Sequence, residues 1–385
     1  MLWMQGSTAS GRASARSRRG ARNNAVVSRQ SPPPTVATRC INDAVMAGDV
    51  EPALLDADNR ADLERYLTAR GLVQADALPI AVARAGAGNM NLALRVTPAA
   101  GRPFILKQGR PWVEKYPHIP APPGRTLVEA AFYAEVQREP SVARLMPAVL
   151  HVDTDNHVLV LEDVGSAGDF TFLYAGAKMP AAALAALLAW LDRLATVTIP
   201  SARRGVFANR AMRALNHEHM FRFPLAADNG LDLDGITPGL RQAARELAAD
   251  RDYVGTVEAL GRHYLADGDT LVHGDYFPGS WIKTPDGVCV IDPEFCFLGE
   301  AEFDCGILAG HLLLADCGAD LLEQVTASAA ARCLDLARVA GYAGVEVMRR
   351  LIGVAQLPLT RGLARKRALL QHSRRLVVEP AKGLA

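Results

Sequence analysis

The sequence predicts an α+β fold in which short strands come first and helices follow. Three observations carry this expectation. From about residue 80 to about residue 161, brief aliphatic runs are separated by turns containing Gly, Pro, Asn or Asp, the pattern of hairpins. Beyond Gly165, Ala- and Leu-rich segments carry apolar residues at helical spacing. Within that helical half lies one further hairpin signal, residues 271–294, reading LVHGDYFPGSWIKTPDGVCVIDPE, with Asp275, Asp292 and Glu294 around two short apolar runs.

Taken in order, residues 57–70 read as a helix, with Leu63, Tyr66 and Leu67 at helical spacing and Gly71 at its end. Strands are expected at 80–84, 92–96 and 104–107. The turn between the first two, Gly86-Ala87-Gly88-Asn89-Met90-Asn91, is of a kind that usually makes only a hairpin. Its two glycines also let backbone N–H groups approach a phosphate. It leads into a strand and not a helix, so it is not a dinucleotide-binding fingerprint. Lys107 stands in the third strand. A lone strand lysine is most often an exposed edge residue, but one that follows a glycine loop by a strand and a turn occupies the place of a phosphate-holding lysine. A helix at 126–138 supplies Glu129 and Glu135 as acids to pair with Lys107, and either reads equally as a solvated helix residue. A second hairpin joins 148–152 to 157–161. Helices then follow at 181–197, at 240–264 with a break near Asp252, and at 304–315, 321–340 and 345–356. His311 lies on an apolar helix face and reads as a satisfied core residue.

Composition narrows the class. Half of the 385 residues are apolar, enough for a sizeable core in two lobes, and a net charge of +1 argues against a general nucleic-acid binder. The six cysteines form no C-x-x-C pair and suit free thiols in a reducing, cytoplasmic compartment. Residues 181–191 are too short for the roughly 20 apolar residues a bilayer demands, so no membrane span is expected. Residues 1–50 begin with an Arg-rich, Ser/Ala/Gly-filled stretch, which suits a disordered tail, a transit peptide or a start assigned too far upstream. Targeting to an organelle and assembly as a homodimer are left open.

The chemistry gathers in residues 271–294. The run 270–272 feeds His273-Gly274-Asp275, and 288–291 feeds Asp292-Pro293-Glu294. The turn Pro285-Asp286-Gly287 pairs 281–284 with 288–291 and brings the acids to one end. In extended chain Asp292 and Glu294, two apart, point to one side. Either half alone reads as turn residues at strand ends. Together and in this order, a base followed by metal-holding acids suits Mg²⁺ and phosphoryl transfer.

His273-Gly274-Asp275, Gly279-Ser280, the run from Ile291 to Phe295, Gly299 and Phe303-Asp304 resemble the aminoglycoside phosphotransferase and choline kinase superfamily, and within it most closely the methylthioribose kinases. The resemblance implies a protein-kinase-like, two-lobed fold: a small antiparallel-sheet N-lobe at 57–162 for the nucleotide and a mostly helical C-lobe at 163–385 for catalysis and the acceptor. It makes Asp275 the catalytic base and Asp292 and Glu294 the Mg²⁺ ligands. Ser280 stands where many relatives have Asn, so Glu294 takes over the ligand that Asn gives elsewhere. It assigns Gly86, Gly88, Asn89 and Asn91 to the loop over the ATP phosphates and Lys107 to the phosphates themselves. Glu135 is preferred over Glu129 as the partner of Lys107, from its distance to the Leu145-Met146-Pro147 turn. The run from Leu161 to Gly165 resembles the hinge, where backbone near Glu162 and Val164 meets adenine. His273 and Asp304 brace the catalytic loop. Arg349 and Arg350 resemble a substrate-contacting pair. Adjacent helical residues diverge by about 100°, so one arginine is expected to carry most of the effect.

The implied activity is an ATP- and Mg-dependent transfer to a hydroxyl of a small molecule, a methylthioribose-like sugar. The alternatives are an amino alcohol or amino sugar as acceptor, or a pseudokinase that binds nucleotide without catalysis. Methylthioribose kinases usually continue Leu-His-Thr-Gly-Ser after the base, whereas this chain has Tyr276-Phe277-Pro278-Gly279-Ser280. Those residues are expected beside the reacting hydroxyl, which opens the pocket to other acceptors. The basic stretch 361–382 counts against polycationic antibiotics.

Overall fold

Strand and helix positions in the first half follow from local pattern. The computed structural model describes residues 53–86, 90–165, 167–357, 359 and 361–384. The basic tail 1–50 and the loop residues Gly88 and Asn89 lie outside the described residues. Helix α1 (Arg60–Ala69) begins where the Asn59 side chain accepts the Asp62 N–H. Strands β1 (Ala81–Arg84), β2 (Leu92–Thr97) and β3 (Phe104–Gln108) are followed by a small hairpin, β4 (Trp112–Val113) and β5 (Tyr116–Pro120), then by helix α2 (Arg125–Val136) and strands β6 (Val149–Asp153) and β7 (Val158–Glu162). The order β1-β2-β3-β7-β6 makes one antiparallel sheet of five strands.

The pleat decides what each face carries. Leu92, Leu94 and Val96 of β2 join Phe104, Leu106, Val158 and Val160 in a small core closed by Leu63 and Leu67 of α1. Lys107 is the next residue along β3 after Leu106 and so points to the opposite face, toward α2. Leu159 and Leu161 of β7 share that other side, and they pack with Phe132, Tyr133 and Val136 of α2 in the main core. The β4–β5 hairpin was not legible, because Pro117 and Pro120 interrupt any alternation.

The remainder is mostly helical. Helices α3 (Ala181–Leu194), α4 (Arg210–His217), α5 (Leu240–Ala248) and α6 (Arg251–Leu265) precede strands β8 (Thr270–Val272), β9 (Trp281–Thr284), β10 (Gly287–Val290) and β11 (Phe297–Gly299). Helices α7 (Ala301–Leu314), α8 (Ala319–Ala331), α9 (Leu336–Ile352) and α10 (Leu363–Val378) follow. Strand β9 pairs with β10 as the expected hairpin, and β8 pairs with β11. The expected break in the 240–264 helix occurs at Asp250, whose side chain accepts the Tyr253 N–H at 3.0 Å and caps α6.

The helix expected at 321–340 is corrected. It is broken at 332–335, where Cys333 has φ 57° and Asp335 accepts the N–H groups of Ala337 and Arg338 to start α9. Helix α9 then runs unbroken across residues 341–344, which the sequence had placed between two helices. Gly344 is there for packing: a Cβ would lie 2.8 Å from the Ser373 carbonyl oxygen of α10. Among the described residues no helix is long and apolar enough to cross a membrane.

Behind the β8–β9 connection sits an aromatic cluster. Trp190 of α3 stacks on Tyr276 with centroids 5.2 Å apart and rings 5° from parallel. It meets His273 edge-on at 6.0 Å and Phe132 of α2 at 6.5 Å. These rings are buried, and they fix the rear of the loop that carries Asp275.

Candidate active site

Lys107 is 4% exposed, which rules out the edge-residue reading. Its Nζ donates to Glu129 Oε1 and Oε2 at 2.8 and 2.6 Å and to Asp292 Oδ1 at 2.6 Å. Burial pulls its pKa down, but the carboxylates of Asp292, Glu129 and Glu294 outweigh burial and hold the ammonium charged. The preference for Glu135 is corrected. Glu135 pairs instead with Arg138 at 2.7 Å and Arg203 at 2.9 Å. Six residues of helix put Glu135 about 120° around α2 from Glu129, so only one of the two can face β3.

The turn of Asp275 is braced from three sides. Both oxygens of Asp304, at the start of α7, accept backbone N–H groups, from His273 at 2.6 Å and Gly274 at 3.0 Å. Burial pushes the Asp304 carboxyl up to about 6 even so. His273 accepts the Asp275 N–H on Nδ1 at 3.3 Å, which leaves Nε2 to donate to the Ile291 carbonyl at 2.9 Å. The ring therefore ties the turn of Asp275 to the residue before Asp292. Burial lowers the His273 pKa to about 4 and keeps it neutral for that role. Ser280 Oγ donates to the Asp275 carbonyl at 2.9 Å. Gly274 has φ 87°, and a Cβ there would lie 2.2 Å from the Phe295 carbonyl oxygen, so the turn admits only glycine.

The Asp275 carboxylate, 24% exposed, lies against the arginine pair. Nη2 of Arg349 and Nη2 of Arg350 each reach Oδ1 at 3.3 Å. Both arginines are 6% exposed. Adjacent helical positions diverge, yet both long side chains bend to the same oxygen. Arg350 also lies over the Phe277 ring, 4.7 Å from its centroid. Tyr276, in contrast, is core: its hydroxyl donates to the Leu187 carbonyl at 3.0 Å. Of Phe277 and Pro278, the aromatic and the proline that stand where methylthioribose kinases have His-Thr, Phe277 lies against the arginine pair.

The turn of Asp292 and Glu294 departs from the expected extended chain. Asp292 is left-handed, at φ 65° and ψ 48°, and Glu294 lies in a short helical turn, Pro293–Phe295. Asn209 supports this turn by donating to the carbonyls of Glu294 and Cys296 at 3.2 and 2.9 Å. Asp292 is 39% exposed at its side chain, and Oδ2 has no hydrogen-bond partner among the described residues. Glu294 is buried, with Oε2 accepting from Asn91 Nδ2 at 2.8 Å and Arg125 Nε lying 3.5 Å from the same oxygen. Burial raises its pKa.

Arg125, which the sequence reading passed over, joins the glycine loop to this turn. Its Nη atoms donate to the carbonyls of Met90, Arg110, Trp112 and Pro122. Gly86 has φ 71° and opens the loop toward Asn91. At the expected hinge, Glu162 is exposed and its N–H donates to the Ala148 carbonyl at 2.8 Å, while Val164 is half-buried. Arg95, also missed, fixes the strap by donating to Asp163 at 2.9 Å and to the Gly165 carbonyl at 2.7 Å. The signal for such arginines is weak, because a strand or helix arginine is ordinarily solvated.

The model of the phosphotransferase enzyme family matches residues 81–342, and the chain belongs to that family. The methylthioribose kinase of Exiguobacterium sibiricum is 26% identical over 248 residues, covering 62% of this chain and 62% of its own. That of Erwinia tasmaniensis is 26% identical over 337 residues, covering 72% and 81%. The chain thus spans less than two thirds of the length of the first of these relatives. The crystal structure of the AMP-bound complex of spectinomycin phosphotransferase superposes with a TM-score of 0.50 at 10% identity, covering 82% of this chain and 97% of that one. It shares the α+β, protein-kinase-like fold that the sequence predicts.

The brace at His273 has a measurable pH signature. Its folded pKa is depressed to about 4, so between that value and the unfolded pKa of about 6.5 the unfolded chain binds a proton that the folded chain does not. The stability it contributes is full above pH 6.5 and is lost as pH falls toward 4. Urea unfolding of wild type and His273→Asn at pH 7.5, 6 and 5 should show the wild type losing stability more steeply on acidification. Parallel curves would mean that the ring is not held neutral.

Proposed function

We propose that this member of the phosphotransferase enzyme family transfers the γ-phosphoryl group of ATP to a hydroxyl of a methylthioribose-like sugar. The observation that carries the reading is the linkage of two charged centres through one histidine. The Lys107–Asp292 pair suits nucleotide phosphates, and Asp275 beneath two arginines suits an acceptor. His273 holds both turns together. Residues 57–162 would then carry the nucleotide and 163–385 the acceptor. A non-catalytic role is disfavoured, since the lysine, the base and the metal-side acids are all present, with Lys107 paired to Asp292 and the turns of Asp275 and Asp292 joined by His273.

The chemistry of the residues gives each a part. The Lys107 ammonium, made by Glu129 to point out of β3, neutralises phosphate oxygens once they take the place of Asp292. Asp275 accepts or orients the proton of the acceptor hydroxyl. The hydroxyl oxygen forms its bond to phosphorus as the bond to the ADP oxygen breaks. Arg349 and Arg350 can turn their Nη groups from Asp275 to acceptor oxygens. Two guanidinium groups oriented at this end offer paired donors to neighbouring oxygens and no acceptor for an ammonium, which favours a neutral sugar over choline-like or aminoglycoside substrates. The names of the relatives support the same acceptor.

The residues present fit magnesium. Among the described residues Asp292 Oδ2 has no hydrogen-bond partner, Asn91 Oδ1 is a buried oxygen without one, and no cluster of three His, Cys, Asp or Glu side chains forms an all-protein cage. That is the donor set of an ion completed by phosphates and water. Asp292 and Glu294 would hold it, and when bound it would neutralise phosphate charge.

Asp275→Ala should lower transfer by about 10²–10⁴-fold while leaving ATP affinity near that of the wild type, because the base acts on the acceptor. ADP release with methylthioribose, related pentoses, choline and kanamycin reads this, and wild-type turnover in the variant would refute the assignment. A separate comparison concerns the lysine. Glu129→Gln should raise the KM for ATP by roughly tenfold or more, the cost of one charge-assisted bond. Glu135→Gln should leave it within about twofold, since Glu135 serves Arg138 and Arg203. The reverse ranking would restore Glu135 as the partner.

A further inference from the structure

We infer that Glu346 is a positioning residue for acceptor binding: its buried carboxylate gathers Arg349 and Arg350 by their Nε atoms and aims the Nη2 atom of each at Asp275. The inference rests on the reading of Asp275 and the arginine pair given above and adds a residue to it.

Glu346 lies in α9 one turn before the arginines and is fully buried. Its Oε2 accepts from Arg349 Nε, and its Oε1 accepts from Arg350 Nε at 2.7 Å and from Arg349 Nη2 at 3.2 Å. Spacings of three and four place both arginines on the Glu346 side of the helix, one on each flank. A carboxylate between them cancels the divergence that adjacent helical residues otherwise have. Nη2 of each arginine then turns to Asp275 Oδ1 at 3.3 Å, while Nη1 of Arg349 donates to Asn216 Oδ1 at 3.3 Å and Nη1 of Arg350 to the Ala355 carbonyl at 3.4 Å.

The carboxylate is itself fixed. His311 Nε2 lies 2.8 Å from Glu346 Oε1, and the Tyr174 hydroxyl lies 2.7 Å from His311 Nδ1. Burial lowers the His311 pKa to about 4, so the ring is neutral, with Nε2 donating to Glu346 and Nδ1 accepting from Tyr174. Burial pushes the Glu346 carboxyl up, yet Arg349 and Arg350 outweigh burial and hold it ionised well below the usual range. Two carboxylates thus face two guanidinium groups, and the cluster is neutral before an acceptor arrives. When acceptor oxygens replace Asp275 at the tips, the Nε ends stay anchored. Less side-chain freedom is lost than if two unanchored arginines had to be ordered at that moment.

The test uses the full chain, with ATP, magnesium and methylthioribose, and measures KM for each substrate and kcat. Glu346→Gln should raise the KM for methylthioribose by roughly 10- to 100-fold, the loss of charge-assisted anchoring, and leave the KM for ATP within about twofold. Glu346→Asp keeps the charge but withdraws it by one methylene and should fall between. In an Arg349→Ala/Arg350→Ala background Glu346→Gln should have no further effect on acceptor KM, because its effect passes through the arginines. If Glu346→Gln gives no cooperative thermal transition, Glu346→Asp carries the same cycle. Equal losses in both KM values, multiplicative losses in the arginine-free background, or an unchanged acceptor KM would each overturn the role. Failure of the wild type on methylthioribose alone refutes that acceptor, and the cycle then runs on the acceptor that is turned over. A wild type that phosphorylates nothing refutes the reading of the site and the role of Glu346 with it.

Discussion

The buried ammonium of Lys107 is the constraint around which the two halves of the molecule are arranged. A charge taken out of water is tolerated only where opposite charge and hydrogen bonds replace the solvent. Here the replacements come from different places: Glu129 from α2 and Asp292 from the turn after β10. Helix α2 must therefore lie across the face of the sheet that carries Lys107, and the turn of Asp292 must reach up to it. The same turn is held at its other end by Asn91 and Arg125 on Glu294, so the loop after β1 is drawn into the arrangement as well.

Asp275 stands in an analogous relation to Arg349 and Arg350. In both places a carboxylate is paired with cations that, on the function proposed above, substrate oxygens would later claim. The device avoids leaving any of these charges buried and alone. It also means that binding exchanges one set of charge-assisted bonds for another, so selectivity lies in geometry more than in net charge. His273 makes the two ends one unit. Its neutral ring uses one nitrogen on the base turn and the other on the metal-side turn, and Trp190 and Phe132 pack against it from behind.

Much of this was legible because it is local. The hairpin at residues 281–290 follows from Pro285-Asp286-Gly287, and the sheet strands follow from short apolar runs between turn residues. His-Gly-Asp and Asp-Pro-Glu stood out because acids at adjoining strand ends in that order have few other uses. What escaped reading depends on rotation and on distance along the chain. Glu129 and Glu135 share a helix and differ only in which way they face, a choice set by β3 and Arg203 and not by α2. Glu346, three and four residues from the arginines, looks in sequence like any ion-paired helix acid. Its burial comes from the close approach of α7 and α9, where His311 meets it. The division of 321–356 was misplaced because an Asp335 cap and a left-handed Cys333 end and start helices with no Gly or Pro to announce it.

The departure from the methylthioribose kinase pattern after the base now has a physical reading. Tyr276 replaces nothing in the cleft, since its ring is committed to Trp190 and its hydroxyl to the Leu187 carbonyl. Phe277 does lie at the cleft, beneath the Arg350 guanidinium and 5.3 Å from the His311 ring. A flat apolar ring there offers the acceptor no hydrogen bond. It does hold a planar cation in one orientation, alongside the anchoring from Glu346. The polar groups on this side thus come from the end of α9 and not from Phe277. On the function proposed above, an acceptor held by two oriented guanidinium groups would need neighbouring oxygens at matching spacing, as a sugar has, and would gain nothing from a positive charge.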